Sequence, residues 1–222
     1  MRYIDKATEP ATVTETRCAA TTKLDTAAHA RGAFDQLDKA AVRKRLAAEQ
    51  GFLCGFCMRR IGHETQDARG EPTMKIAHRM PIDADHSLAL TWKNLIGSCD
   101  GGQRSQGRCW TCDAAQGSKP LSVDPTEKGS VGRLAYGRRA DASGLFVTSD
   151  DEILRTDVDH TLKLNSGDLP ALRDAARKAF QEHCRRALAT RGRPAWKQAY
   201  PAWLTRYGDA LPEFLGAIEA LL

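Results

Sequence analysis

Five of the seven cysteines lie in one stretch of the chain, residues 53–119. Cys54 and Cys57 are separated by two residues, one of them a glycine, and Cys109 and Cys112 have the same spacing. Two thiolates on a tight turn form half of a tetrahedral zinc site, and a second pair completes it. Four thiolates leave no position for water, so we expect a zinc ion that holds the fold together rather than one that catalyses.

The second pair of ligands is not settled by spacing alone. Cys109 with Cys112 is the simplest pairing, but Cys99 lies in the same stretch and offers a third candidate. Clustered cysteines in a reducing compartment favour metal over disulfides. Residues 1–6 lack an apolar signal core, and no apolar run approaches the roughly 18 residues that span a bilayer. We therefore expect a cytoplasmic protein without a membrane segment.

Three polar residues between and beyond the cysteines have a different chemistry. His78 ends a predicted strand, Asn94 precedes a second apolar run, and Asp113 follows Cys112 at a predicted helix start. A histidine can take a proton from a water that attacks phosphorus. An aspartate can ligate a hard cation such as Mg²⁺ or Mn²⁺, which stabilises charge on phosphate. We interpret His78 as the base, Asn94 as the residue that fixes its loop, and Asp113 as the cation ligand.

The charge balance is compatible with a polyanionic partner. The 222-residue chain carries a formal net charge of +5. Basic residues flank the polar motifs, and we expect Lys75, Arg79 and Arg108 to contact nucleic-acid phosphates.

Hydrophobic periodicity and caps predict the elements that carry these residues. Residues 1–37 are expected to form an N-terminal arm, extended over its first 33 residues, where little periodicity is visible. Asp38 is a helix N-cap for a helix that ends near Gln50. A strand over 73–77 leads to His78, and residues 87–98 form a second strand or a short helix.

The chain after residue 125 has another character. A hairpin over 132–136 and 144–148 is expected to precede a long amphipathic helix that Asp168 caps. The helices predicted here cover 169–190, 194–207 and 211–222. The fold class is therefore α+β, with a core at 38–125 and a region at 126–222 that we expect to dock a partner.

Four runs within the core resemble the HNH endonucleases, and more narrowly the PtuB family, the nuclease subunits of Septu-type and some retron-type anti-phage systems. The runs are 49–61, 76–81, 94–101 and 112–117, and weaker similarity extends to 1–6, Glu9-Pro10, 162–165 and Leu172-Arg173. The resemblance implies a zinc-stapled ββα-metal core that cuts DNA, and a partner, the PtuA-like ATPase. It assigns His78 as general base, Asn94 as the middle residue and Asp113 as the last one.

The resemblance also implies a zinc ligand set. By that mapping Cys99 and Cys112 join Cys54 and Cys57, with Cys109 as the alternative to Cys99.

Two positions depart from the family pattern. The family has Glu or Asp directly before the base histidine, often as a metal ligand, whereas this chain has Ala77. The cation would then be held by Asp113 with a donor such as Asp83 or Asp85. Gln116 stands where many relatives have lysine, which would remove one phosphate contact. The alternative function is a catalytically weak or inactive zinc-binding subunit that docks nucleic acid or the ATPase.

Overall fold

Two antiparallel sheets of two strands each combine with nine α-helices in the part of the chain that the structure describes. The structure is a computed structural model, and it describes residues 1–19, 24–67, 70–103, 109–140, 142–188 and 196–222. The α+β class predicted from the sequence is confirmed. No helix among these residues is long and apolar enough to cross a bilayer.

The helices and strands are, in chain order, α1 (Ala11–Ala19), α2 (Ala27–Asp35), α3 (Lys39–Glu49), β1 (Lys75–His78), β2 (Leu95–Ser98), α4 (Cys112–Gln116), α5 (Lys128–Val131), β3 (Leu134–Arg139), β4 (Ala142–Ser149), α6 (Glu152–Thr156), α7 (Leu169–Leu188), α8 (Trp196–Leu204) and α9 (Leu215–Glu219). Short 3₁₀ turns cover His86–Leu88, Trp92–Asn94 and Thr205–Tyr207, and a π turn at Asp157–Thr161 follows α6.

The N-terminal segment contains two helices from residue 11 onward, so the prediction of an extended arm is wrong for that part. Helices α1 and α2 both lie within it, and the Thr26 side chain caps α2 by accepting a hydrogen bond from the His29 N–H at 3.2 Å. Each helix buries only one or two small side chains, Val13 in α1 and Ala30 with Ala33 in α2. So narrow an apolar stripe leaves almost no periodic signal in the sequence.

The first core helix follows the sequence prediction closely. The Asp38 carboxylate accepts hydrogen bonds from the N–H groups of Ala40 and Ala41, which is the N-cap arrangement. Val42 and Leu46 are fully buried on the inner face of α3.

Strands β1 and β2 form the sheet that carries the polar motifs. Their register pairs His78 with Leu95 and Ala77 with Ile96. His78 is the last residue of β1, so the sheet fixes its backbone. The predicted ambiguity over 87–98 has a structural reason, since two 3₁₀ turns precede β2 in that segment.

Gln50 connects α3 to this sheet with a buried amide. Its Oε1 accepts the Gly97 N–H at 2.7 Å, and its Nε2 donates to the carbonyls of Gly97 and Leu53, both at 2.8 Å. A Cβ at Gly97 would lie 2.6 Å from the Met74 Cε and 3.0 Å from the Gln50 Nε2. Glycine is therefore needed at position 97 for the amide to reach the strand.

The C-terminal region packs on the core through shared hydrophobic contacts. The predicted hairpin is present as β3 and β4, and the long helix as α7, although the Asp168 carboxylate pairs with Arg59. Leu53 and Met58 belong to one buried cluster with residues of the last helices, namely Phe180, Cys184, Ala199, Trp203, Leu215 and Ile218. The final helix, α9, is shorter than the predicted range 211–222. The buried cluster that contains Leu53 and Met58 therefore joins residues on both sides of the boundary that we placed at residue 125.

We predict that Gln50→Ala destabilises the protein by about 2–3 kcal/mol, because it leaves the buried Gly97 N–H and the Leu53 carbonyl without this amide. The Gly97 carbonyl loses one of its two donors and keeps the Gly55 N–H. Urea denaturation of the zinc-loaded protein measures the change. Lys44→Ala is the matched control, since Lys44 is exposed on the same helix and its loss should change stability by less than about 0.5 kcal/mol. Equal effects of the two substitutions would contradict this role for Gln50.

Candidate metal centre and catalytic cleft

Four cysteine sulfurs meet inside the protein. The sulfurs of Cys54, Cys57, Cys99 and Cys112 all lie within 4.8 Å of one another. Cys54 lies 3.9 Å from Cys112, Cys57 lies 3.7 Å from Cys99, and Cys99 lies 3.8 Å from Cys112. Four sulfurs at about 2.3 Å from a central zinc ion lie roughly 3.8 Å apart, so these distances fit a tetrahedral site.

The first two cysteines are held by a tight turn. The Cys54 N–H donates to the Arg59 carbonyl at 2.8 Å, and the Met58 N–H returns to the Cys54 carbonyl at 2.9 Å. The Gly55 N–H donates to the Gly97 carbonyl at 2.9 Å, which fastens the turn to β2. Because β2 leads directly to Cys99, this contact brings the third sulfur to the first two.

The fourth cysteine is positioned from the C-terminal region. Cys112 has a left-handed backbone with φ of 56°, an unfavourable conformation for a residue with a side chain. Its N–H donates to the Leu162 carbonyl at 2.8 Å, which holds it in place. Cys109 is exposed and outside the group, so of the two alternatives left open by spacing the structure brings Cys99 to the cluster.

The electrostatics of the cluster favour a bound cation. Burial acts to raise the pKa of the Cys54 thiol, but hydrogen bonds from the other three thiols and from the Cys57 N–H outweigh it and hold that pKa well below its ordinary value. The thiolate of Cys54 in turn raises the pKa of Cys112 well above its ordinary value. Four sulfurs this close ionise together only beside a cation, and an all-sulfur tetrahedral set suits zinc.

His78 is the last residue of β1, and one hydrogen bond orients its ring. Its Nε2 lies 3.0 Å from the Ala89 carbonyl. A carbonyl only accepts, so Nε2 carries the proton and Nδ1 presents the lone pair. The Phe34 ring packs edge-on against the imidazole at 4.6 Å between centroids. Burial lowers the pKa of His78, so the ring is neutral near pH 7.

Asn94 closes the loop that follows His78. Its Oδ1 accepts the Met80 N–H at 2.7 Å, and its Nδ2 donates to the carbonyls of Met80 and Leu88 at 3.0 and 3.1 Å. The side chain is only 3% exposed. All three bonds are to backbone, so Asn94 acts by fixing the loop rather than by contacting a ligand.

Asp113 and His78 line the same open cleft of about 280 Å³. The other lining residues are Arg31, Pro81, Ile82, Asp83, Gly117 and Ser118. Burial raises the pKa of the Asp113 carboxyl, and the nearby Lys75 charge acts against that rise. No ion pair to Asp113 forms within the described ranges, whereas Asp83 pairs with Arg31. A half-buried carboxylate without an ion pair is chemically suited to a cation.

Gln116 has a structural role that the sequence did not indicate. The loss of a phosphate contact expected from this glutamine stays a prediction, but the side chain is buried, and its Nε2 donates to the carbonyls of His78 and Arg79 at 3.1 and 2.9 Å. The amide therefore holds the backbone of the candidate base. Gln116 follows Asp113 by three residues on α4, a spacing that places the two side chains on the same face of the helix. That spacing was the one signal in the sequence for this role.

The residues expected to bind phosphate have different surroundings. The Arg79 guanidinium pairs with Asp124 at 3.0 Å and donates to the Leu121 carbonyl at 3.0 Å, so it is engaged within the protein. Lys75 donates to the Gln103 side chain. Arg108 lies outside the described residues.

Ala77 is buried, with 1% exposure, and alternation along β1 places it on the opposite face from His78.

Asp83 and Asp85 are the two other cation ligands that the sequence suggested. Asp85 caps a 3₁₀ turn by accepting the Ser87 N–H at 3.1 Å, and Asp83 lines the cleft. Among the described residues the four cysteines are the one compact group of three or more potential ligands.

Comparison with known proteins gave no assignment. The chain matches no protein-family model, and no curated protein matches it.

We predict that Cys99→Ser abolishes stoichiometric zinc binding and lowers the unfolding temperature, because it removes one sulfur from a buried tetrahedral set. Cys109→Ser is the matched control and should leave both properties unchanged, since Cys109 is exposed. Elemental analysis and thermal denaturation of the two variants measure the effects. Loss of zinc from Cys109→Ser with retention in Cys99→Ser would reverse the ligand assignment.

Proposed function

We propose that this chain is a metal-dependent HNH-type endonuclease that hydrolyses phosphodiester bonds in DNA. The strongest support is that His78 and Asp113 line one cleft, and that the His78 Nε2 is hydrogen-bonded to the Ala89 carbonyl. That bond leaves Nδ1 as a neutral proton acceptor in a cleft that the Asp113 carboxylate also lines. The arrangement suits a reaction in which a base and a hard cation act on the same phosphate.

In the proposed mechanism the His78 Nδ1 accepts the proton of the attacking water. Asn94 and Gln116 keep the base in position through the loop after β1 and through the His78 carbonyl. Asp113 would hold a Mg²⁺ or Mn²⁺ ion, which when bound stabilises negative charge on the phosphate. Asp83 also lines the cleft and would be a second ligand on leaving its ion pair with Arg31. Two carboxylates suffice for such an ion, because water and substrate phosphate complete its coordination.

The proposed setting is an anti-phage defence complex in the cytoplasm, with a PtuA-like ATPase as partner. The resemblance to the PtuB family is the support for the partner and for the setting. The net charge of +5 supports a nucleic-acid substrate. The zinc ion of the four-cysteine centre would be structural in this account, since no ligand position there is open.

A second candidate function is a zinc-binding subunit that docks DNA or the ATPase without cutting. The specific observation in its favour is Ala77, a buried methyl group where the family carries a carboxylate. This candidate predicts binding of DNA without cleavage at any concentration of Mg²⁺ or Mn²⁺. The two functions therefore differ in one assay, plasmid nicking with added cation, which is best run with and without the proposed partner.

We predict that His78→Ala lowers the nicking rate by about 10²-fold or more, because the attacking water loses its base. The variant should bind DNA and zinc like the parent protein. His160→Ala is the control, because His160 is exposed and outside the cleft. Nicking by His78→Ala at the parent rate would remove the histidine from its role, and a parent protein that binds but never nicks would select the docking function.

The pH dependence follows from the burial of His78. The base works when neutral, so activity falls as pH drops through its pKa, which burial places below the ordinary histidine value. We therefore predict an acidic limb of kcat/KM with a midpoint below about pH 6.5. Phe34→Ala should move that limb upward, because the ring that shields the imidazole is removed. A limb above pH 6.5 in the parent protein would contradict this prediction.

A further inference from the structure

Arg173 on α7 is the largest of the fully buried side chains among the described residues, with 1% exposure. Its two Nη groups donate to the carbonyls of Leu164 and Leu145 and to the Asn165 side-chain oxygen, the last two at 3.4 and 3.3 Å. Its Nε is buried without a hydrogen-bond partner. All of these acceptors are neutral, and no Asp or Glu in the described ranges forms an ion pair with this guanidinium.

A guanidinium that is buried without a compensating charge is costly, since the interior solvates ions poorly. A negative charge within the same core would offset that cost. The four cysteines supply it, because four thiolates around one Zn²⁺ carry a net charge of about −2. Cys54, Cys57 and Cys112 are themselves almost fully buried, so their negative charge also requires a compensating positive charge.

Two observations place the guanidinium in the same part of the core as the cysteines. Burial lowers the pKa of Arg173, and the Tyr136 phenol and the thiolates of Cys57 and Cys112 act against that shift. The backbone gives an independent link. The Leu164 carbonyl that accepts from Arg173 lies two residues after the Leu162 carbonyl, which accepts the Cys112 N–H.

We propose that Arg173 is the counter-charge of the four-cysteine metal centre, which strengthens zinc binding and makes the docking of α7 depend on the metal. The guanidinium hydrogen-bonds to none of the four cysteines and does not line the cleft, so it would act through the charge of the thiolates as a positioning residue. Its role does not depend on nuclease activity, because the argument uses only the metal centre and the burial of α7.

Zinc affinity measured by chelator competition tests the proposal. Arg173→Met keeps much of the side-chain volume and removes the charge. It should weaken zinc binding about tenfold, because charges act on one another over several ångströms in the protein interior. Phe180→Leu is the matched control, because Phe180 is fully buried on the same helix but uncharged, and its affinity should match the parent protein. Unchanged affinity of Arg173→Met would overturn the proposal.

A double-mutant cycle separates charge from packing. Cys99→His replaces one thiolate with a neutral imidazole, so the centre becomes less negative and needs less compensation. The affinity loss caused by Arg173→Met should therefore shrink in the Cys99→His background. An identical loss in both backgrounds would mean that Arg173 acts by packing alone.

Two further variants keep the test decisive if Arg173→Met does not fold. Arg173→Gln retains donors for the Leu164 carbonyl without charge, whereas Arg173→Lys retains donors and charge. The lysine variant should bind zinc more tightly than the glutamine variant. Equal affinity of the two would overturn the proposal.

Discussion

The meeting of four cysteine sulfurs within 4.8 Å of one another is the constraint on which the rest of the core depends. The sulfurs come from three separate places, namely the turn after α3, the end of β2 and the start of α4. Cys99 follows directly on the strand that pairs with His78, and Cys112 directly precedes Asp113. Bringing the sulfurs together therefore also brings the candidate base and the candidate cation ligand to one cleft.

The two sites have opposite physical character. The cysteines form a largely buried set of four soft ligands, which suits a metal that stays bound and stabilises the fold. The cleft with His78 and Asp113 is open and offers carboxylate oxygens, which suits a hard cation that exchanges with solvent and substrate. This separation also explains why so many polar side chains around the cleft bond to backbone. Asn94 and Gln116 hold the frame, so that His78 and Asp113 remain available for chemistry.

Local signals in the sequence predicted the parts of the fold that local chemistry determines. Asp38 caps α3 as its residue type indicates, and His78 ends a strand where the apolar run before it predicted one. Long-range contacts decide the remainder. Spacing could not separate Cys99 from Cys109, because the difference lies in how β2 folds back on the cysteine turn. The partner of Arg79, Asp124, is likewise far along the chain.

The central claim is that one chain uses two metals for two purposes, and a single dialysis experiment tests it most directly. Protein dialysed against a weak chelator should keep one tightly bound zinc per chain and its fold, should lose plasmid nicking, and should regain nicking on addition of Mg²⁺ or Mn²⁺. Retention of zinc without nicking under any added cation would contradict the catalytic half of the account. A folded protein that holds no zinc would contradict the structural half.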